Sequence, residues 1–249
     1  MKKILFVFGT RPEAIKMAPV VNEFKKDLNN FDTIVAVTAQ HREMLDQVLS
    51  LFEITPDYDL DLMAPNQSLE SLTSKILIGI SELLVKIKPD VVFVQGDTTT
   101  TFASALAAFY KMISIAHIEA GLRTNNIYSP FPEEINRRMT TSMASYHFPP
   151  TNQSMHNLLD EGVEDHAIKV VGNTVIDALL TVSNKLETDS NKYDRYFSEK
   201  YNIQFNGNKT ILVTGHRRES FGGGFENICL AIKQISKNKK VQIVYPVHL

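Results

Sequence analysis

Cysteine is nearly absent. The one present, Cys229, cannot form an intrachain disulfide, which excludes a disulfide scaffold and fits a reducing compartment. It falls in a predicted helix and is expected to be a buried small apolar residue rather than a nucleophile. Charge of one sign is also lacking, since 26 basic and 28 acidic residues leave a net charge of −2. That excludes a general electrostatic pull toward nucleic acid, so basic residues that matter must be local. No apolar stretch approaches the length of a membrane span. The run Ile4–Phe8 is shorter than the about seven apolar residues an export signal needs. The expectation is a cytoplasmic protein with neither nucleic acid nor membrane as a partner. G-x-G-x-x-G, P-loop, C-x-x-C, H-E-x-x-H and G-x-S-x-G motifs are all missing. A dinucleotide fingerprint and the corresponding metal and hydrolase chemistries therefore have no support. His147, His156 and His166 lack metal-ligand spacing, and no repeat or low-complexity tract occurs.

What is there is an ordinary globular balance of 43% hydrophobic and 22% charged residues over 249 positions, enough for one large or two modest domains. Short apolar runs alternate with helical patterns. Strands are predicted at Ile4–Phe8, Thr33–Thr38, Val91–Val94, Ser114–Ile118, Tyr146–Phe148 and Ile168–Val171. Helices are predicted at Glu13–Leu28, His41–Phe52, Leu69–Ile87, Thr99–Tyr110, Glu133–Ala144 and Asn152–Glu161. Such alternation gives an α/β fold with a doubly wound parallel sheet. A second unit is expected from residue 172, so the domains read as 1–171 and 172–249. It opens with a helix at Thr174–Leu186, then a polar stretch to about residue 208, a strand at Ile211–Thr214, a helix at Phe225–Ile235 and a strand at Val241–Tyr245. Two strands are little for an independent core, so this second domain is expected to be incomplete.

Doubly wound sheets bind ligands where strands end at their carboxyl edge, and polar clusters follow the predicted strands there. Gly9-Thr10-Arg11 through Lys16 joins the first strand to a helix start, where free N–H groups and two formal charges suit phosphate; a capped turn with solvated cations is the alternative. Asp97, in Gln95-Gly96-Asp97-Thr98, is a carboxylate at the same edge or simply a helix cap. Glu119 ends an apolar strand, where a charge is costly unless paired or used, and Arg123 is the obvious structural partner. Glu133 and Glu134 follow Pro130-Phe131-Pro132 in a helix first turn, and Arg137, four residues on, could orient Glu133. His216, Arg217 and Arg218 lie in a glycine-rich loop suited to an anion.

Taken together, these segments resemble the non-hydrolysing UDP-N-acetylglucosamine 2-epimerases. The matching stretches are GTRPEAIKMAP at 9–19, TAQHREMLDQVL at 38–49, QGDTTTT at 95–101, IEAGLRT at 118–124, PFPEEINR at 130–137, GNTVIDALL at 172–180 and VTGHRRESFG at 213–222. The resemblance implies two Rossmann-like domains of the glycosyltransferase-B type with substrate between them. It implies interconversion of UDP-N-acetylglucosamine and UDP-N-acetylmannosamine through anti elimination of UDP to 2-acetamidoglucal and re-addition. It implies no cofactor, neither nicotinamide nor metal, a homodimer through the first domain, and a product feeding cell-surface polysaccharide. By match, Asp97, Glu119 and Glu133 are the carboxylates, with acid and base undivided among them, and His216 joins them at the catalytic centre. Arg11, Lys16, Arg137 and Arg217 match substrate-binding positions. Gln40, Glu43 and His248 lie in segments that contribute to an activating second site, although Glu43 stands where regulated members carry glutamine.

Members of the family continue past the length of this chain, with a Ser-Gly-Gly stretch and a glutamate that hold the uridine and ribose. A glycosyltransferase of the same architecture would need an acceptor site, and nothing in the sequence suggests one. A non-catalytic protein that binds UDP-sugar or only self-associates is the alternative from another class. The 249-residue chain is expected to turn over UDP-N-acetylglucosamine weakly or not at all; a coupled assay of UDP release or epimer exchange measures this, and near-normal turnover would refute it.

Overall fold

The computed structural model describes residues 1–38, 42–62, 67–204, 207, 209–214, 223–238 and 240–246, with backbone alone at 42, 43 and 223. The chain divides into two compact units, Met1–Leu180 and Thr181–Leu249. The first unit is built on strands β1 (Lys2–Phe8), β2 (Phe31–Val37), β3 (Tyr58–Asp59), β4 (Val91–Gln95), β5 (Ser114–Ile118) and β6 (Tyr146–Phe148). They form one parallel sheet in the order β3-β2-β1-β4-β5-β6. This is the order of a doubly wound, Rossmann-like sheet, with its switch point between β1 and β4.

Side chains alternate across a strand, and the sequence of β1 furnishes both faces. Leu5 and Val7 pack with the apolar stripe of α3 (Leu69–Ile87), formed by Leu72, Ile76, Ile80, Leu83, Leu84 and Ile87, and with the alanines of α4 (Thr99–Tyr110). Phe6 points to the other face. There it stacks on Phe93 at 4.8 Å and meets Phe24, from α1 (Arg11–Lys26), edge-on at 5.4 Å. Burial on both faces is why β1 reads as a continuous apolar run rather than an alternating one. Each such fully buried side chain contributes roughly 1.5–3 kcal/mol.

After β2 comes α2 (Arg42–Leu51), and α5 (Glu133–Met143) follows β5 and packs against α4. Beyond β6 lie α6 (Asn152–Asp160), a short 3-10 turn at Asp165–Ala167 and α7 (Val175–Thr188). The expected strand Ile168–Val171 is reduced to one isolated bridge, Ile168 to His147, with further hydrogen bonds to the carbonyls of His147 and Pro149. Pro149 and Pro150 follow β6 and have no N–H with which to continue a ladder.

The second unit holds α8 (Ser190–Tyr201), β7 (Lys209–Leu212), α9 (Gly223–Ile235) and β8 (Val241–Val244), with β7 and β8 paired in parallel. The polar stretch after α7 thus contains a helix. Tyr196 and Lys200, four apart, are hydrogen-bonded at 3.0 Å, and Lys200 lies over the rings of Tyr196 and Tyr201. Asn202 ends α8 in the left-handed conformation. Cys229, expected to be buried, is exposed. Among the described residues the buried set ends at Ala178, so α9 has no closed core to enter, and Leu230 is 56% exposed beside it.

Two glycines test how backbone conformation and packing divide the cost of a side chain. Gly96 and Gly121 both have positive φ, 72° and 82°. A Cβ at Gly96 would meet nothing within 4 Å among the described residues, whereas at Gly121 it would lie 2.1 Å from the Ser154 carbonyl oxygen. Gly96→Ala should therefore cost about 1 kcal/mol, the conformational part alone, and Gly121→Ala at least roughly 2–3 kcal/mol. Urea denaturation of the two variants measures the difference, and equal losses would contradict it.

Candidate active site

Three connections leave the carboxyl edge of the sheet at and beside the switch point, and they and the helices they enter carry the described candidate side chains. The β1–α1 connection starts at Gly9. Thr10 caps α1 by accepting from the Glu13 N–H, and Glu13 returns the capping box. Arg11 is exposed at the helix start, and Lys16 lies one turn further in. The β4–α4 connection places Asp97 just before Thr98, and Thr98 rather than Asp97 is the N-cap of α4. Asp97 is thereby left to face another partner. Arg137 donates to its Oδ2 at 2.5 Å, and Asn136 donates to its backbone carbonyl at 3.0 Å.

Glu119 follows β5 with φ at 63°. Its partner is Lys16, at 2.5 Å, and Gln95 Nε2 donates to the same oxygen at 3.0 Å. The expected partner, Arg123, is elsewhere. Its guanidinium grips Glu161 through two contacts of 2.7 Å and also reaches Thr141. The planar fork of arginine suits such bidentate binding, while the point charge of lysine can meet a single oxygen end-on.

Glu133 and Glu134 part company at the start of α5. Glu134 is fully buried and accepts from the N–H groups of Thr124 and Asn125 and from Arg138. Burial alone would raise its pKa, but these hydrogen bonds and Arg137 hold it below the usual carboxylate range. Glu133 keeps one oxygen, Oε2, buried without a partner among the described residues. Arg137, expected to orient Glu133, pairs instead with Asp97 and Glu134. The segment leading into α5 contains cis peptide bonds at Ser129–Pro130 and Phe131–Pro132.

His117, inside β5, is buried, and its Nε2 lies 2.7 Å from the Gly96 carbonyl oxygen. A carbonyl only accepts, so Nε2 carries the hydrogen and Nδ1 is the bare nitrogen. Burial pushes the pKa of His117 down to about 3, against the pull of the Gly96 carbonyl. The ring is therefore a neutral prop for the backbone that precedes Asp97.

The structure thus brings Lys16 to Glu119 and Arg137 to Asp97, and it puts Glu133 one helical turn before Arg137. Gln40, His216, Arg217 and His248 lie outside the described residues, and of Glu43 only the backbone in α2 is described. Glu13, Gln95, Glu134 and Asn136 carry no site role in the sequence reading. The Thr-x-x-Glu pattern at Thr10 and Glu13 was the available signal for the first. Among the described residues no cluster of His, Cys, Asp or Glu could hold a metal ion, and no helix is long and apolar enough to cross a membrane.

Fold and site together define a Rossmann-like α/β protein with carboxylate–cation pairs at the carboxyl edge of its sheet. The chain belongs to the UDP-N-acetylglucosamine 2-epimerase family, whose model matches residues 23–249. It is 57% identical over 99% of its length to UDP-N-acetylglucosamine 2-epimerase of Salmonella typhimurium, covering 65% of that protein. The Escherichia coli K12 enzyme of the same name is 56% identical over the same shares. Among solved structures, the Neisseria meningitidis UDP-GlcNAc 2-epimerase bound to UDP-GlcNAc is 52% identical with a TM-score of 0.89; the match covers 99% of this chain and 66% of that one. The Methanocaldococcus jannaschii enzyme in complex with UDP-GlcNAc and UDP is 36% identical with a TM-score of 0.80 over the same shares. The chain spans about two thirds of the length of these relatives (65–66%).

The neutral His117 gives a pH prediction. Its folded pKa lies below the unfolded value, so as pH falls below about 6.5 the unfolded chain gains a proton that the folded chain refuses. Stability should fall by up to about 1.4 kcal/mol per pH unit from this group between pH 6.5 and about 3. Urea titrations at stepped pH should give a shallower slope for His117→Gln, and parallel slopes would exclude this role.

Proposed function

We propose that this chain carries the acid–base groups of an isomerase that inverts C2 of UDP-N-acetylglucosamine to give UDP-N-acetylmannosamine. One carboxylate takes the C2 proton as the C1–O bond to UDP breaks. The bonding pair leaves with UDP, and a C1–C2 double bond forms, giving 2-acetamidoglucal. UDP then returns to C1 while a proton is delivered to C2 on the opposite face. The C2 proton is weakly acidic, so its removal requires both a positioned base and relief of the charge building on the diphosphate. Asp97, Glu119 and Glu133 share the acid and base roles, with His216 beside them. Arg11, Lys16, Arg137 and Arg217 bind substrate, with Arg11 and Lys16 suited to the diphosphate.

The observation that carries this reading is the pairing of Lys16 with Glu119 and Arg137 with Asp97 at the switch-point edge. Carboxylates and cations in alternation are what a reaction needs that moves a proton and expels an anion together. The UDP-sugar in the N. meningitidis and M. jannaschii structures supports the substrate class. We extend the proposal to a cytoplasmic homodimer serving surface polysaccharide synthesis. The exposed Ile78 and Val85 on α3, with Phe109, Tyr110 and Met112 at the end of α4, support a self-associating face. An activating second site at Gln40, Glu43 and His248 belongs to the same proposal.

One observation favours a second reading, a UDP-sugar binder without turnover: no described residue beyond Ala178 is buried. Proton exchange separates the two. In deuterated water the active protein should place deuterium at C2 of recovered UDP-sugar, seen by NMR. Asp97→Asn, Glu119→Gln and Glu133→Gln should each slow this by roughly 10²–10⁴-fold while UDP binding by calorimetry persists. Wild-type exchange rates in all three variants would remove the carboxylates from the mechanism. Heat from UDP without any exchange in the unsubstituted chain would establish the second reading.

A further inference from the structure

Beneath the site lies a carboxylate that neither proton transfer nor substrate binding uses. Glu13 is 1% exposed. Its Oε2 accepts from the Gly9 and Thr10 N–H groups at 3.0 and 2.7 Å, and its Oε1 accepts from the Thr98 hydroxyl at 2.6 Å. Thr101 Oγ1 stands 3.2 Å from Oε1 and 2.5 Å from the Gln95 carbonyl oxygen. One side chain is thus shared between the β1–α1 and β4–α4 connections. A local capping box would need only the contacts to its own loop. The Thr98 contact is 85 residues away in sequence and touches the cap of the neighbouring helix.

We propose that Glu13 is a positioning residue that sets the spacing between Lys16 and Asp97 by spanning the two connections that carry them. Lys16 is three residues after Glu13 on the same helix, so a shift of the first turn of α1 moves it. Asp97 immediately precedes Thr98, so release of that hydroxyl frees the backbone that aims the Asp97 carboxyl. Lys16 reaches Glu119 and Arg137 reaches Asp97, so both ion pairs register against the same span. Burial raises the pKa of Glu13, and hydrogen bonds from Thr98, Thr10 and Gly9 oppose that rise. The length of the side chain, rather than its charge, carries the role. Glutamine keeps that length: its oxygen can accept from Gly9 and Thr10 while its amide faces the threonine oxygens. Aspartate keeps the charge and the local cap but is one methylene too short to meet Thr98 as well.

The test compares Glu13→Gln with Glu13→Asp, using circular dichroism for folding and NMR of the Asp97 and Glu119 side-chain carboxyl carbons and the Lys16 ammonium. Glu13→Gln should leave these resonances near their wild-type positions, and Glu13→Asp should move all three. Unmoved resonances in Glu13→Asp, or equal movement in both variants, would overturn the proposal. If Glu13→Asp does not fold, Thr98→Val decides, since it removes the far end of the span and leaves the α1 cap intact; unmoved resonances there would overturn the proposal equally. For turnover, Glu13→Asp should lower kcat by on the order of tenfold to a hundredfold with KM little changed, and Glu13→Gln should restore it. That last readout rests on the function proposed above, whereas the resonances do not, so an inactive chain would sink that function and leave the positioning role to the NMR result.

Discussion

Strands β1 and β4 lie side by side, although three helices and two strands separate them in the chain. The sheet grows outward from β1 to β3 and then restarts on the other side of β1. The connections that leave β1 and β4 therefore diverge to opposite faces and open a crevice between them at the carboxyl edge. Every described candidate group reaches that edge. Arg11 and Lys16 come from the connection after β1, Asp97 from the one after β4, Glu119 from the end of β5, and Glu133 and Arg137 from the helix that follows. The register of β4 on β5, with Gln95 opposite Ile118, puts Glu119 one residue past its neighbour's last strand position. That offset lets Gln95 donate to its carboxylate.

Charge then orders what topology has gathered. Asp97, Arg137, Glu134 and Arg138 form a chain of alternating sign that fixes the first turns of α5. Glu134 is its buried centre. A buried carboxylate stripped of its partners costs about 3–5 kcal/mol, so this glutamate holds its neighbours as firmly as they hold it. Glu133, adjacent in sequence, projects from the same turn without joining the chain, and one of its oxygens has no partner among the described residues. Adjacent residues of identical chemistry thus divide into a structural and a reactive candidate because a helix turns about 100° between them.

Much of this was legible before any coordinates. The elements Leu69–Ile87, Thr99–Tyr110, Ser114–Ile118 and Tyr146–Phe148 have the bounds their periodicity and flanking breakers imply. The position of Asp97, Glu119 and Glu133 beyond the ends of β4 and β5 was legible from ordered motifs, because strand-loop-helix units place a polar cluster after each strand. Partner choice was not. Arg123 is four residues from Glu119 in sequence, yet the left-handed backbone at Glu119 and Gly121 turns the chain between them, and Arg123 ends on Glu161. Lys16 is 103 residues from Glu119, and only the sheet order joins them. The helix α8 was hidden because its polar composition carries no apolar stripe; aromatic and lysine pairs four apart support it instead. Cys229 is exposed rather than buried: helix periodicity identifies an apolar face but does not say what covers it.

The left-handed backbone of Glu119 ties these threads together. A non-glycine residue there bears a conformational cost of roughly 1–2 kcal/mol, which persists only where surrounding contacts over-determine it. Glycine would remove the cost, and the chain uses glycine at Gly96 and Gly121 for that purpose. At Glu119 a side chain is retained, and Lys16 and Gln95 converge on one of its carboxylate oxygens. Had the residue served only to end a strand, relaxed backbone and a solvated side chain would have sufficed. Strain held in place by a lysine from another connection is better understood as aim. The turn after β5 points this carboxylate back across the edge of the sheet, toward the helix start whose cations suit a diphosphate.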